Sequence, residues 1–417
     1  MPYSRRNFLE TGLAAAAGAA AGSVGDASAD QPSTPQSPPA APAEALIDPK
    51  FASLDGHQLA TDAIHLGQEA GFSVTPIYQG KNSQHGRYQR PSFNPTIWSL
   101  EAKIKGLEGG AEAVTGPCGM SVIAQTYLAH AKAGDRIVAH RCNYDAVMTL
   151  LRDKLPRFGI EVELIDMNDP ENLRAALRKK KTKIVHFEPY VNPTMEVLPA
   201  LELIKLAGEH GAVSVVDNTW LTPIMFQPLR HGADLVIHSA TKYIGGHGSA
   251  MGGVACGRNA EWVKEIRRAS IPFGGLLRPF DAFLLDQGIK TLDLRIARHT
   301  ASALEVARWL EAHPKVARVR YGGLESWAKR QHQGQAYTRG FGGLLGVEWK
   351  EGRTHGGLDG KLKLCKPWGS LGDVVTLVQQ RKAEPDRGIP GRYTRIAVGL
   401  EDPRDIIADF QQALEKV

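Results

Sequence analysis

Asp234-Leu-Val-Ile-His-Ser-Ala-Thr-Lys-Tyr-Ile-Gly-Gly-His247 changes character abruptly along its length. Leu235-Val236-Ile237 is a short apolar run, which reads as a buried strand. His238, Ser239, Thr241 and Lys242 follow at once, and the pair Gly245-Gly246 comes just after them. An ammonium set just past a buried strand is costly to desolvate unless it pairs or reacts. Desolvation also depresses the pKa of a lysine and makes it a nucleophile toward carbonyls. On the residues alone, Lys242 is either a surface lysine at a strand end or the lysine that carries pyridoxal phosphate as a Schiff base. In the second case Ser239 and Thr241 are hydroxyl donors to the cofactor phosphate.

Working outward, the chain upstream of this stretch alternates. Runs 136–139, 162–165, 184–187 and 213–216 are β-rich, and segments 145–158, 170–178 and 198–209 between them have helical length and patterning. That alternation predicts an α/β fold, a mostly parallel sheet with helices on both faces. Such sheets bind ligands at the carboxyl ends of their strands. Polar residues cluster there: Glu188 with Asn192, Asp217, and Ser239 to Lys242. Asp217 either keeps a pyridinium nitrogen protonated or caps the next helix. Tyr144 either stacks on a cofactor ring or is an ordinary aromatic. Asn192 either reaches a phenolic oxygen or serves the turn before Pro193. The turn Gly116-Pro-Cys-Gly-Met120, before the helical pattern 121–132, offers the backbone N–H groups that anions need, although many folds use such a turn only to change direction. After residue 300 the pattern becomes that of a smaller α+β domain. It has a helix at 301–311, strands at 316–321, 341–349 and 393–398, and a closing helix at 405–416. Arg395 lies inside the last strand, where it suits a bidentate grip on an α-carboxylate or is simply a surface arginine.

Bulk properties agree with a two-domain soluble protein. The chain has 417 residues, 42% hydrophobic and 23% charged, and a single core rarely grows beyond about 250–300 residues. The net charge of +6 is mild and the basic residues are scattered, so no nucleic-acid interface is expected. Cys118, Cys142, Cys256 and Cys365 are far apart, which argues against a zinc site and against a disulfide framework. That usage suggests folding in a reducing compartment. The first residues read differently. Ser4-Arg5-Arg6-Asn7-Phe8-Leu9 is a twin-arginine pattern, 12–24 is an apolar run, and Ala27-Ser28-Ala29 has the form of a cleavage site. Residues 1–29 are therefore expected to be a twin-arginine signal peptide, and 30–45 a disordered proline-rich linker. The apolar run is too short for a stable membrane span. The expected location is periplasmic or exported by a route that carries proteins already folded, and otherwise cytoplasmic.

Eight motifs now stand in order: Tyr88-x-Arg90-x-x-x-Asn94-Pro-Thr96, Leu107-Glu-Gly-Gly110, Cys118-Gly-Met120, Glu188-Pro-x-x-Asn192-Pro193, Asp217-Asn-Thr219, His238 to His247, Ser370-Leu-Gly372 and Arg395 to Asp402. Together they resemble the cystathionine γ-synthase/β-lyase (trans-sulfuration) family of enzymes dependent on pyridoxal 5'-phosphate, over residues 61–414. The resemblance implies an aspartate-aminotransferase-like, fold type I large domain at 106–300 and a small domain at 301–417, preceded by an arm and helix at 46–105. It implies that Lys242 binds the cofactor and moves protons, that Asp217 partners the pyridine nitrogen, and that Tyr144 stacks on the ring and joins proton transfer. Gly119, Met120, Ser239 and Thr241 match a phosphate cradle, and Tyr88 and Arg90 match residues that reach the phosphate of a neighbouring subunit. Asn192, Ser370 and Arg395 match the region that holds the substrate carboxylate. A small amino-acid substrate and a homotetramer of dimers with shared sites are implied as well. The implied activity is elimination of a thiol from cystathionine, methionine or cysteine. An O-acetyl- or O-succinyl-homoserine sulfhydrylase, a cystathionine γ-synthase-type transferase, and an inactive exported binding protein are the alternatives. Gly369 stands where relatives that handle cystathionine by γ-chemistry often carry a glutamate. Gly248-Ser249 and the stretch 379–390 also depart from the family, so the substrate end of the site is where this chain is its own.

Overall fold

Short apolar runs separated by helices assemble into one seven-stranded sheet. The structure is a computed structural model and describes residues 58–67, 73–80, 94–328, 337–352 and 354–417. The strands are β1 (Glu112–Gly116), β2 (Arg136–His140), β3 (Glu161–Ile165), β4 (Ile184–Phe187), β5 (Val213–Asp217), β6 (Leu235–His238) and β7 (Gly253–Gly257), in the spatial order β1-β7-β6-β5-β4-β2-β3. From β3 to β6 every pairing is parallel, and β7 lies antiparallel to both β6 and β1. Val138, Val185, Val216 and Val236 join one buried cluster, while Ile137, Ile184, Val215 and Ile237 join another. Burial on both faces is why these strands read as unbroken apolar runs rather than as alternation.

The sheet is the mostly parallel one expected, with one addition. Gly253-Val-Ala-Cys-Gly257 escapes notice in the sequence because it is short and bounded by glycines. The helix Pro95–Glu108 shows how local chemistry sets an element. Asn94 Oδ1 accepts the N–H of Ile97 at 3.2 Å, proline opens the first turn, and Gly109 ends the helix at φ 71°. The segment 145–158, expected as one helix, runs as α over Asp145–Thr149, π over Leu150–Lys154 and 3-10 over Leu155–Phe158. Pro156 has no N–H to donate to the preceding turn, so the regular ladder cannot pass it.

A second sheet is formed by β8 (Val316–Arg320), β9 (Leu344–Trp349), β10 (Leu377–Arg381) and β11 (Tyr393–Ala397), in the order β10-β11-β9-β8 and antiparallel throughout. β10 is a second strand not read from the sequence. The helix expected at 301–311 spans Leu292–Ala312. It packs Leu292 and Ile296 into the core of the large sheet and Ala303, Val306 and Leu310 into that of the small one. The boundary drawn at residue 300 therefore falls inside a continuous helix. Among the described residues no helix is long and apolar enough to cross a membrane, no cluster could hold a metal ion, and the four cysteines are free. The segments expected to be a signal peptide and a linker, together with Tyr88 and Arg90, lie outside the described residues.

Candidate active site

A cavity of about 510 Å³ opens at the carboxyl ends of β4, β5 and β6 and is bordered by the loop at Ser370 and by β10 and β11. Lys242 reaches it from a tight turn after β6. Ser239 N–H donates to Thr219 Oγ1 at 2.7 Å, and Lys242 N–H donates to the Ser239 carbonyl at 3.1 Å. Lys242 Nζ donates to Ser370 Oγ at 2.9 Å. Burial pulls the Lys242 ammonium below its usual pKa; the Arg395 charge adds to this and Asp373 opposes it. Ser370 has φ 130°, a strained value for a residue with a Cβ, and strain of this kind tends to collect at functional sites. Under the turn, Arg295 donates to the carbonyls of Tyr243 at 2.5 Å and of Gly288 at 2.6 Å. Gly246 adopts φ 68°, and a Cβ there would collide with the Arg295 guanidinium. Gly246 is thus what lets a buried arginine brace the lysine turn.

Asp217 ends β5 and is buried; its Oδ1 accepts the N–H of Thr219 at 3.0 Å. Burial raises its pKa, and the Thr219 hydrogen bonds pull the other way. Glu188 follows β4 and fixes two neighbours at once. Its Oε1 accepts the Tyr144 N–H at 2.6 Å and its Oε2 accepts the Asn192 N–H at 2.9 Å. Burial, with the Asp217 charge nearby, pushes the Glu188 carboxyl upward. Tyr144 is 47% exposed, so its ring is open on the cavity side. Arg395 completes the group. Its Nη1 donates to Asn192 Oδ1 at 2.8 Å and its Nη2 to the Ser370 carbonyl at 2.6 Å. Burial lowers its pKa to about 10, and its Nε has no partner among the described residues.

The far end of the cavity is the N-terminus of the helix Gly119–His130. Its N-cap, Cys118, contributes no side-chain cap, which leaves the first N–H groups for an anion. A Cβ on Gly119 would stand 2.8 Å from Ser239 Cβ, so only glycine lets the helix start this close to the lysine turn. Ser239 and Thr241 both line the cavity. The Thr241 hydroxyl is already engaged, donating to the Gly252 carbonyl at 3.2 Å and accepting the Gly252 N–H at 3.0 Å. The Ser239 hydroxyl is the freer of the two to meet an anion.

These donors fit pyridoxal phosphate: a glycine cradle at a helix N-terminus for the phosphate, a buried carboxylate for a ring nitrogen, an open tyrosine face, and a desolvated amine for an aldehyde. Lys242, Tyr144, Asp217, Gly119, Met120, Asn192, Ser239, Thr241, Ser370 and Arg395 all line the one cavity, as their motifs lead one to expect. Two structural facts were not read from the sequence. Glu188 holds both Tyr144 and Asn192, and Arg295 braces the lysine loop. The signal for Glu188 is there, an acid directly beyond a buried strand, but its partners are fixed only by folding.

Comparison with known proteins agrees with this geometry. The profile of the family described as Cys/Met metabolism PLP-dependent enzyme matches residues 58–415. L-methionine gamma-lyase of Fusobacterium nucleatum subsp. polymorphum is 37% identical, covering 86% of this chain and 98% of that protein. Cystathionine beta-lyase of Lactococcus lactis subsp. cremoris is 32% identical, covering 86% and 99%. The crystal structure of metB from Corynebacterium glutamicum superposes with a TM-score of 0.82 at 31% identity, covering 87% of this chain and 98% of that one.

Proposed function

The chain belongs to the Cys/Met metabolism family of PLP-dependent enzymes, and from that premise we propose that it is a carbon–sulfur lyase that eliminates a thiol from a sulfur amino acid. The observation that carries the reading is the contact at Ser370. Its hydroxyl holds Lys242 Nζ at 2.9 Å while its carbonyl is held by Arg395 at 2.6 Å. One residue thereby fixes the distance between a proton-moving amine and a carboxylate-binding guanidinium.

Pyridoxal phosphate, when bound, supplies an electron sink for charge that develops at the substrate α-carbon. The chain's own residues do the rest. Gly119 and Met120 present N–H groups, and Ser239 a hydroxyl, to the phosphate. Asp217 is buried, so its carboxylate is stable as an anion only opposite a cation, and a protonated ring nitrogen is that cation. Tyr144, pinned through its N–H, covers a ring face. Arg395 takes the α-carboxylate, with Asn192 and Ser370 fixing the plane of its guanidinium. Lys242 Nζ accepts the α-proton once its amine is released, and its lowered pKa raises the share of neutral base near neutrality.

The test is direct. Purified protein is expected to be yellow and to release keto acid and thiol from at least one of L-cystathionine, L-methionine and L-cysteine. Silence on all three, with sulfide incorporated into O-acetylhomoserine, would transfer the protein to the sulfhydrylases. We further propose a homotetramer of dimers. Phe273, Phe280 and Leu294, exposed on consecutive helices, support an apolar assembly surface. Sedimentation of the holoenzyme as a monomer would refute it. Export by the twin-arginine route is proposed from Arg5-Arg6, and unchanged localisation after their replacement by lysines would refute that.

A further inference from the structure

The helix Leu292–Ala312 sets its first turns against the loop that carries Lys242, and it does so with a charge. Arg295 is 5% exposed. Its Nη1 donates to the Tyr243 carbonyl at 2.5 Å, its Nη2 to the carbonyls of Gly288 at 2.6 Å and Ile244 at 3.3 Å, and its Nε to Thr291 Oγ1 at 3.1 Å. All of these acceptors are neutral. Burial lowers the Arg295 pKa to about 10, and no carboxylate opposes that effect. A buried cation without an anion is costly, and an apolar side chain of similar volume would support a turn without that penalty. What the guanidinium adds is a planar set of donors that fixes three carbonyls at once. Two of them, those of Tyr243 and Ile244, directly follow Lys242.

His299 lies one turn further along the same face of the helix. It is fully buried, and its Nδ1–H donates to the carbonyl of Val398, just past the strand that holds Arg395, at 2.8 Å. Its ring meets that of Tyr243 edge-on, with centroids 5.1 Å apart. The Tyr243 hydroxyl accepts the Gly343 N–H at 3.2 Å, and the Gly343 carbonyl accepts the Val398 N–H at 2.8 Å. One helix face thus grips the lysine turn with one residue and the end of the Arg395 strand with the next. We propose that both are positioning residues: Arg295 is a built-in cation, caged by carbonyls, that fixes the aim of Lys242, and His299 keeps Arg395 in register with it. The proposal rests on the lyase reading above. The competing explanation is that both side chains only stabilise the junction of the two sheets.

Kinetics of the holoenzyme on a thioether that the wild type turns over separate the two. Arg295→Ala is expected to lose on the order of 10–10²-fold in kcat with KM little changed, because the lysine is misaimed while the carboxylate grip is intact. The pH midpoint of its yellow cofactor band is expected to move from the wild-type value. Guanidinium chloride, well below denaturing concentrations, is expected to refill the carbonyl cage and restore part of both, and sodium chloride at equal strength is not. His299→Phe keeps a ring against Tyr243 and removes the donor to Val398; it is expected to raise KM severalfold with less effect on kcat. A fall in melting temperature alone, equal kcat and KM losses in both variants, no response to guanidinium, or an equal response to sodium chloride assigns the residues to packing and overturns the proposal. Where Arg295→Ala does not fold, Thr291→Val, which removes the acceptor of Nε, is expected to show the same kcat-selective loss in weaker form, and wild-type behaviour there overturns the proposal. No turnover of any thioether by the yellow wild-type protein overturns the lyase reading, and the cofactor band with its guanidinium response then still decides whether Arg295 positions Lys242.

Discussion

At the scale of single residues, the site separates groups that react from groups that aim them. Lys242 is the reacting group. Lys242→Ala is expected to lower turnover on the order of 10²–10⁴-fold and to abolish fixation of the cofactor by borohydride. An unchanged borohydride adduct would place the linkage on another lysine. Glu188 is an aiming group, since it touches two backbone N–H groups and moves no proton in the scheme above. Glu188→Ala strands both buried donors, each costing roughly 1–3 kcal/mol, and frees Tyr144 and Asn192 together. The expected readout is a lower melting temperature with a changed cofactor spectrum. Glu188→Gln keeps the bulk and one acceptor oxygen and is expected to recover part of both. Lys242 and Asp217 stand out in the sequence because Asp217 directly follows a β-rich run and Lys242 comes a few polar residues past another, where a charge needs a reason. The fork in which Arg381 Nη1 donates to Asp145 Oδ2 at 2.7 Å and Nη2 to Oδ1 at 2.8 Å does not, because its partners are 236 residues apart and only the packing of β10 joins them.

At the scale of elements, the parallel strands can be read from short β-rich runs alternating with segments of helical length, while β7 and β10 cannot. β7 is buried, glycine-bounded and five residues long, so it offers neither alternation nor length. β10 is half polar because it faces the cavity with Gln379 and Arg381, and a functional face erases the apolar cue that marks a strand. The element most exposed to test is the start of the helix Gly119–His130. A methyl at Gly119 would press on Ser239 Cβ at 2.8 Å and on Ser239 Cα at 3.0 Å. Relief requires the helix to back away from the turn that carries Lys242, a misfit costing roughly 1–3 kcal/mol. Gly119→Ala is therefore expected to weaken cofactor binding at the phosphate end, read as a higher Kd when apoprotein is titrated with pyridoxal phosphate. Binding at wild-type strength would mean that this contact does not shape the cradle.

At the scale of the whole molecule, the cores enclose histidines that folding keeps neutral. His186, on β4, is fully buried with neither ring nitrogen partnered among the described residues, and burial lowers its pKa to about 3. His299, on the helix that joins the two sheets, is lowered to about 4, chiefly by burial. Unfolded, each takes a proton near pH 6.5. A depressed histidine pKa means that the unfolded chain binds more protons below that pH, so the stability is fully present above about 6.5 and is lost as pH falls toward 4. At pH 5 the His186 contribution amounts to about 2 kcal/mol. The forked carboxylate of Asp145, lowered to about 2 by the Arg381 and Arg387 hydrogen bonds against an opposing burial effect, acts in a lower window, below its unfolded pKa of 3.8. Acid sensitivity should therefore begin with the histidines. His186→Phe keeps an aromatic ring for the edge-on contact with Tyr127 at 5.6 Å and removes the titration. Its melting temperature is expected to exceed that of the wild type by a margin that widens from pH 7 to pH 5. A margin that stays constant across that range would show that the folded protein protonates His186 as readily as the unfolded chain does, and that the acid response originates elsewhere.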